Sequence, residues 1–464
     1  MSAPAPIEYN GIRAVSGPLM MVEGVEAAAW DEDVEIELPS GERRHGVVLE
    51  VDRDLAVVQI FEGSQGIGRL GTRVRFSGTP LQVPLSESWL GRVCSGRGEP
   101  LDGGPAVTGK LKRQIAGRPI NPAFREPPSD PVITGVSAID LLTTLVLGQK
   151  LPVFSVGGLP HFELAAQIAA QARSAGTTFR IIFAAMGLTH ADAALVQDVL
   201  ETRAGQGELA MFLNTAADPV VERILTPRLA LTVGEHLAFD LGYDVLVVMA
   251  DMTSYCEAVR EVASARNEIP ARRGFPGYLY SDLASLYERS GRIQGRPGSL
   301  TQVPVLSMPS GDITHPVPDL TGYITEGQLV LAPEVNARGI YPPFDPLSSL
   351  SRVMRHGVGE GRTRADHMGV ASQVFAALAR ARQARELLEL VGEAGLSASD
   401  RRHLEFEAVF QHELVSQRRD ESRTMEQTLE RAWKSLDHLP RRELSRIDSV
   451  FLDAYHHPVV EADR

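Results

Sequence analysis

The chain has 464 residues, of which 43% are hydrophobic and 23% charged, an ordinary globular composition with length for roughly two or three domains and sizeable cores. Its formal net charge of −13 argues against a nucleic-acid partner, which selects a basic excess. Two cysteines, Cys94 and Cys256, make neither a disulfide framework nor a zinc site and fit a reducing cytoplasm, and no stretch approaches the ~18 apolar residues of a membrane span.

The N-terminal MSAPAPIEYNG has no basic-then-apolar leader, so no secretory signal is expected. Across residues 1–75, Val34, Ile36 and Leu38 alternate with Asp33, Glu35 and Glu37, the period of a half-buried strand. Pro39-Ser40-Gly41 supplies a turn, and Val47–Val51 and Ala56–Phe61 supply two further β-rich runs. Several short strands in so short a stretch predict a small closed barrel. Residues 76–130 are rich in glycine and proline and read as an irregular lead-in to a central domain spanning 76–355.

Within that domain the pattern changes. Apolar runs at Pro152–Val156, Phe179–Ala185, Leu209–Thr215, Val245–Ala250 and Val303–Met308 alternate with segments of helical period. This predicts βαβ units on a parallel sheet buried on both faces. Thr189 and Asp192 are spaced as a capping box for the helix after the second run.

The stretch LPVFSVGGLPHFELAAQ (151–167) has the outline of a phosphate-binding loop: strand, glycine turn, helix. A working loop reads G-x-x-x-x-G-K-[ST], because bare amides cradle the phosphates, the lysine reaches them and the hydroxyl holds magnesium. Here the two glycines fall on Ser155 and Pro160, the lysine on His161 and the hydroxyl on Phe162. Pro160 has no N–H to donate, and Phe162 offers no metal ligand. The chain is therefore expected to carry a nucleotide-binding fold with a degenerate phosphate loop and no nucleotide or metal of its own. Lysine is rare throughout, with only Lys110, Lys112, Lys150 and Lys434 beside abundant arginine; the loop position carries histidine rather than arginine, so compositional bias does not explain its loss. The apolar run ending at Asp251 resembles the magnesium-orienting strand of an ATPase, but aspartate at a strand end more often caps the next helix, and that is the expectation here. His315, without other ligands at suitable spacing, reads as a turn residue.

Residues 356–464 are helical in pattern. Val370, Val374, Phe375, Leu378, Leu388 and Val391 fit one face ending at Gly392; Met425, Leu429, Ala432, Trp433 and Leu436 mark another helix; Leu444, Ile447, Phe451 and Ala454 mark a third. A C-terminal helical bundle is expected, with the final VVEADR loose.

Six stretches carry a family resemblance. They are TGVSAIDLLTTLVLGQKLPVFS (134–155), GLPHFELAAQIA (158–169), DVLVVMADMTSYCEAVREV (244–262), ARRGFPGYLYSDLASLYERSGR (271–292), QVPVLSMPSGDITHPVPDLTGYITEGQ (302–328) and GIYPPFDPLSSLSR (339–352). Together they resemble the B subunit, or beta chain, of the V/A-type rotary ATPases. The resemblance implies a β-barrel, a central α/β domain and a helical bundle, and a non-catalytic, regulatory subunit alternating with a catalytic A subunit in a three-plus-three ring. It implies that Mg-ATP or ADP is held by the A subunit, that Arg352 of the Leu350-Ser351-Arg352 segment reaches it as an arginine finger, and that Tyr341 and Ser351 lie at that interface. It further implies a central rotor stalk, a peripheral stalk and a membrane ion-translocating sector as partners, with the chain cytoplasmic and peripheral to the membrane. Phe162 departs from the family, where asparagine is usual. Two rivals are a self-sufficient hexameric ATPase of the secretion or helicase type, which needs lysine and Ser/Thr at 161 and 162, and a purely structural paralogue.

Overall fold

The computed structural model describes residues 6–175 and 178–459. The expectation of a loose C-terminal tail falls almost wholly on residues 460–464, outside the described residues.

Seven strands, β1 (Ile7–Tyr9), β2 (Ile12–Ser16), β3 (Leu19–Glu23), β4 (Glu32–Glu37), β5 (Arg43–Asp52), β6 (Leu55–Ile60) and β7 (Arg73–Pro80), form the N-terminal barrel domain, an antiparallel sheet in the order β1-β7-β4-β5-β6-β3-β2. The alternation in β4 does what its period requires: Val34 and Ile36 are fully buried with Met20, Val22, Val58, Val74 and Phe76. The intervening Glu35 and Glu37 meet Arg43, Arg75 and Arg73 from flanking strands on the outer face.

The main path of the central ten-stranded sheet uses β8 (Val93–Ser95), β9 (Val153–Val156), β10 (Phe179–Leu188), β11 (Leu209–Thr215), β12 (Asp244–Ala250), β13 (Ser299–Met308), β14 (Gly327–Val330) and β15 (Leu350–Ser351). Its order is β15-β14-β9-β13-β12-β10-β11-β8, parallel from β14 to β8. The five apolar runs named from the sequence all lie in it. β8 arises within the segment read as irregular, a three-residue strand too short for periodicity to reveal.

The continuous apolar runs are explained by two cores, one on each face. Along β10, Ile181, Phe183 and Ala185 point into one and Ile182, Ala184 and Met186 into the other. The first face is covered by α1 (His161–Gln171), α2 (His190–Gly205) and the C-terminal helices; the second by α3 (Val220–Glu235), α4 (Met252–Ala265) and the underside of the barrel at Leu19, Val47 and Leu49. Burial on both faces is what a parallel sheet demands.

The C-terminal helices are α5 (His367–Val391), α6 (Ala398–Phe410), α7 (Met425–Leu436) and α8 (Ser449–Tyr455). α7 buries all five residues expected of it. α5 ends at Gly392, whose φ of 72° suits glycine, but its buried stripe stops at Ala384. Leu388 is half-buried and Val391 53% exposed. The third segment also differs: Leu444 and Ile447 are buried ahead of the helix, which starts after Asp448, and Leu452 rather than Ala454 faces the core. Complete capping boxes sit at Ser397/Asp400 and Thr424/Gln427. At Thr189 the hydroxyl accepts from the Asp192 amide, but Asp192 receives that hydroxyl rather than the Thr189 amide, so the expected box is half made.

One buried carboxyl gives the fold a pH signature. Asp140 is fully buried in the short Ser137–Leu142 helix; its Oδ1 accepts from the Thr134 amide at 2.8 Å and hydroxyl at 2.7 Å, and its Oδ2 from the Gly135 amide at 2.9 Å. Burial outweighs those donors and pushes the carboxyl up to about 7. A folded pKa above the unfolded value means a stabilising contribution present in full below the unfolded pKa and lost as pH rises through about 7. Relative to Asp140→Asn, wild-type resistance to urea is expected to fall between acidic and mildly alkaline pH. A pH-independent difference between the two proteins contradicts this assignment.

Candidate functional site

Two places bear on phosphate chemistry: the turn between β9 and α1, and the arginine that follows β15.

At the first, β9 carries Ser155, fully buried, to the turn Gly157-Gly158, both exposed. Gly158 has φ +87° and open space where a Cβ would stand, so backbone conformation rather than crowding favours glycine here. Two amides that could face an anion are used inside the turn. Leu159 N–H donates to the Val156 carbonyl at 3.2 Å and His161 N–H to the Leu159 carbonyl at 2.9 Å. Pro160 is the N-cap residue, without a side-chain cap and without an N–H. The His161 ring is buried; its Nδ1 donates to the Leu159 carbonyl at 2.8 Å and lies 3.2 Å from the Ser155 hydroxyl. Phe162 packs beside that ring, centroids 4.2 Å apart, and against the core on the α1 side. Ser155, Pro160, His161 and Phe162 therefore come together as a packed strand-to-helix corner. These residues do not fit a triphosphate with magnesium.

Asp251, at the end of β12, closes the same corner. Its carboxylate caps α4, accepting from Thr253 N–H at 2.7 Å, and accepts the Ser307 hydroxyl at 2.6 Å and amide at 3.3 Å. Burial raises its pKa, partly offset by the Ser307 hydroxyl, the Thr253 amide and His161. The helix-cap expectation is met. His315 likewise caps the Pro316–Ile324 helix through the Val317 amide, and burial lowers its pKa. Among the described residues no cluster of three or more His, Cys, Asp or Glu side chains is placed to hold a metal ion, and no helix is long and apolar enough to cross a membrane.

The second place is built differently. β15 runs antiparallel to β14 at the sheet edge, with Ser351 opposite Gly327. Arg352, the next residue, is exposed. Its amide donates to the Glu326 carbonyl at 2.9 Å and its Nη1 to the Thr325 carbonyl at 3.3 Å. Among the described residues its guanidinium makes no ion pair. Val153 pairs with Leu329, so Arg352 leaves the sheet level with the residues before Val153, and the degenerate turn begins after Val156. At ~3.3 Å per residue the two lie on the order of 20 Å apart, at opposite ends of the strands. This arginine cannot serve its own chain's turn.

Ser351 accepts a hydrogen bond from the Gln149 side chain at 2.8 Å and donates one to the Thr144 carbonyl at 3.4 Å. Tyr341 is not beside Arg352. Its hydroxyl donates to Gln167 of α1 at 2.8 Å, Arg419 lies over its ring, and its carbonyl accepts from the Gln417 amide; burial raises its pKa. It ties the central domain to the helical one. The sequence did not single out Gln149, Lys150, Glu326 or Ser307, which surround these features; the one available sign was that Lys150 is among the four lysines.

Comparison with known proteins accounts for most of the chain. Residues 12–78 match the beta-barrel domain of the ATP synthase alpha/beta family, 135–351 its nucleotide-binding domain, and 356–456 the C-terminal domain of V and A type ATP synthase. Among solved structures, the chain is similar to a unique ATP synthase subunit, NeqB, from Nanoarcheaum equitans. Identity is 36% and the TM-score 0.72, over 91% of this chain and 100% of that one.

Proposed function

Because the chain belongs to the ATP synthase alpha/beta family, in its V and A type, we propose that it is the non-catalytic, regulatory B subunit of the rotary complex. In this reading three copies alternate with three catalytic A subunits, which hold Mg-ATP or ADP. This chain contributes Arg352 to the neighbour's nucleotide and binds none itself. The ring works against a central rotor stalk and a peripheral stalk, at the cytoplasmic face of a membrane sector that moves the coupling ion.

The observation that carries the reading is the pairing of a turn without the phosphate-loop lysine and hydroxyl with an exposed arginine at the far end of the sheet that, among the described residues, faces no carboxylate. Phosphoryl transfer spreads negative charge over the γ-phosphoryl oxygens, and a guanidinium is planar, permanently charged and able to meet two of those oxygens at once. Supplied from a neighbour, it makes hydrolysis depend on how closely the interface is shut, which is how stalk rotation and chemistry become coupled. The rival of a self-sufficient ATPase is disfavoured by the Leu159 and His161 amides already bonded within the turn and by the half-buried Phe162, packed against the core where a metal-binding hydroxyl is needed.

The test is reconstitution. ATP turnover by this chain alone, by its catalytic partner alone and by the mixture is compared with subunit stoichiometry from native mass spectrometry. The expected result is a three-plus-three assembly with turnover in the mixture and none in this chain alone. Turnover by the isolated chain at the rate of the mixture overturns the proposal.

A further inference from the structure

Arg352 is held by a socket whose parts lie far away in sequence. Gln149, fully buried in the bend before β9, spans the gap between the sheet interior and the edge strand. Its Nε2 donates to the Ser351 hydroxyl at 2.8 Å and to the Glu326 carbonyl at 3.4 Å, its Oε1 accepts from the Val146 amide at 3.0 Å, and its carbonyl accepts from Gln302 N–H at 2.9 Å. The next residue, Lys150, has a side chain only 3% exposed. It meets Glu326 through its amide at 2.8 Å and through Nζ at 2.8 Å, and Glu288 at 3.1 Å. Glu326 in turn receives the Arg352 amide on its carbonyl.

We infer that Gln149 is a positioning residue for Arg352, acting through Ser351 and Glu326, with the Lys150–Glu326 ion pair bracing the same carbonyl. The inference rests on the arginine-finger reading and extends it. Edge strands are held from one side alone, and β15 has just two residues, so its ladder contributes little stiffness. The Gln149 amide supplies the missing restraint: one side chain fixes both the residue before the arginine and the carbonyl that the arginine's own amide uses. A catalytic cation works only if held to within a fraction of an ångström of the charge it stabilises. Gln149 and Lys150 are buried, and Lys150 pairs with both Glu326 and Glu288, so the restraint is set inside the fold on the side of the sheet interior.

The experiment uses the assembled complex with its catalytic partner, carrying Gln149→Leu, Ser351→Ala or Arg352→Ala, alone and in the double variant Gln149→Leu/Arg352→Ala. Steady-state ATP hydrolysis and ring stoichiometry are measured for each. Gln149→Leu is expected to lower kcat about tenfold, as a mispositioned group does, with KM changed less than about twofold because the nucleotide itself is bound elsewhere. Added to Arg352→Ala, it is expected to cost less than about a further twofold, since the group it positions is gone. Ser351→Ala removes only the outer end of the bridge at a half-buried site; it keeps the test decisive if Gln149→Leu fails to assemble, and is expected to lower kcat in the same sense. An unchanged kcat in whichever of these two variants assembles overturns the inference, as does an equal loss in the presence and absence of Arg352. Full turnover by Arg352→Ala is a separate outcome: it removes the finger reading, and the inference with it.

Discussion

Replacing Arg352 by alanine is expected to leave the ring assembled and to abolish nearly all ATP turnover by the complex. Arginines supplied in trans in other phosphoryl-transfer enzymes are worth roughly 10³–10⁵ in rate, equivalent to about 4–7 kcal/mol of transition-state stabilisation. The structure gives two reasons to expect a loss of that order with little effect on folding. The side chain is exposed and its guanidinium makes a single long hydrogen bond, to the Thr325 carbonyl at 3.3 Å, so removing it leaves no buried group unsatisfied. Its backbone hydrogen bond to Glu326 survives the substitution. Lysine at this position should recover only a fraction of the rate, because a point charge on a flexible stem does not reproduce the planar fork. Turnover within a few-fold of wild type in the alanine variant rules out the finger.

The second large effect concerns stability. Arg289 is fully buried between the central domain and the segment that leads out of the barrel. Its Nε reaches Glu235 at 2.7 Å, its Nη2 the Thr232 hydroxyl at 2.8 Å, and its Nη1 the carbonyls of Ile115 and Arg228 at 3.1 and 3.2 Å. Glu235 is its one carboxylate partner in this set, with a side chain 11% exposed. Glu235→Leu leaves an uncompensated cation in the interior and is expected to cost about 3–5 kcal/mol, since removing one member of a buried pair is far worse than removing both. The double variant Glu235→Leu/Arg289→Met should therefore recover much of the loss. Denaturant unfolding of the single and double variants checks this; a single variant within about 1 kcal/mol of wild type, the ceiling for a surface ion pair, would show that the pair is not the anchor of this seam.

The parallel sheet was legible because its strands are buried twice over. Phe179–Ala185 and Val245–Ala250 read as unbroken apolar runs, and the structure shows why: alternate residues serve different cores. The same logic failed for β8 and β15. Strands of three and two residues carry no period, and only tertiary contacts with β11 and β14 make them strands. In α5 the apolar spacing was real as far as Leu378 but does not say how far the packed stripe extends, so Val391, 53% exposed, was assigned to the buried face.

For the site, the departure from the phosphate-loop pattern was readable residue by residue, because Pro160, His161 and Phe162 each lack the group that pattern requires. What fills the turn instead was not readable. The Leu159 and His161 amides bond within the turn, and the Asp251–Ser307 contact draws on β12 and β13, 56 residues apart in sequence. Arg352 illustrates the opposite limit. In isolation it is one arginine in a serine-rich bend, and only resemblance singled it out; its lack of an acidic partner among the described residues and its place at the end of the sheet away from the turn are properties of the fold. Tyr341 was grouped with it on the same resemblance; its hydroxyl bond to Gln167 of α1 is likewise a property of the fold that the sequence did not show.

The central claim is that this chain holds no nucleotide of its own while serving a neighbour's. Equilibrium dialysis of labelled ATP against the isolated chain, with and without magnesium, tests it most directly. The account predicts no saturable, magnesium-dependent binding, because the turn offers neither a lysine at 161 nor a metal-binding hydroxyl at 162, and its Leu159 and His161 amides are already bonded. Saturable one-to-one uptake that requires magnesium and is lost on altering His161 would contradict it.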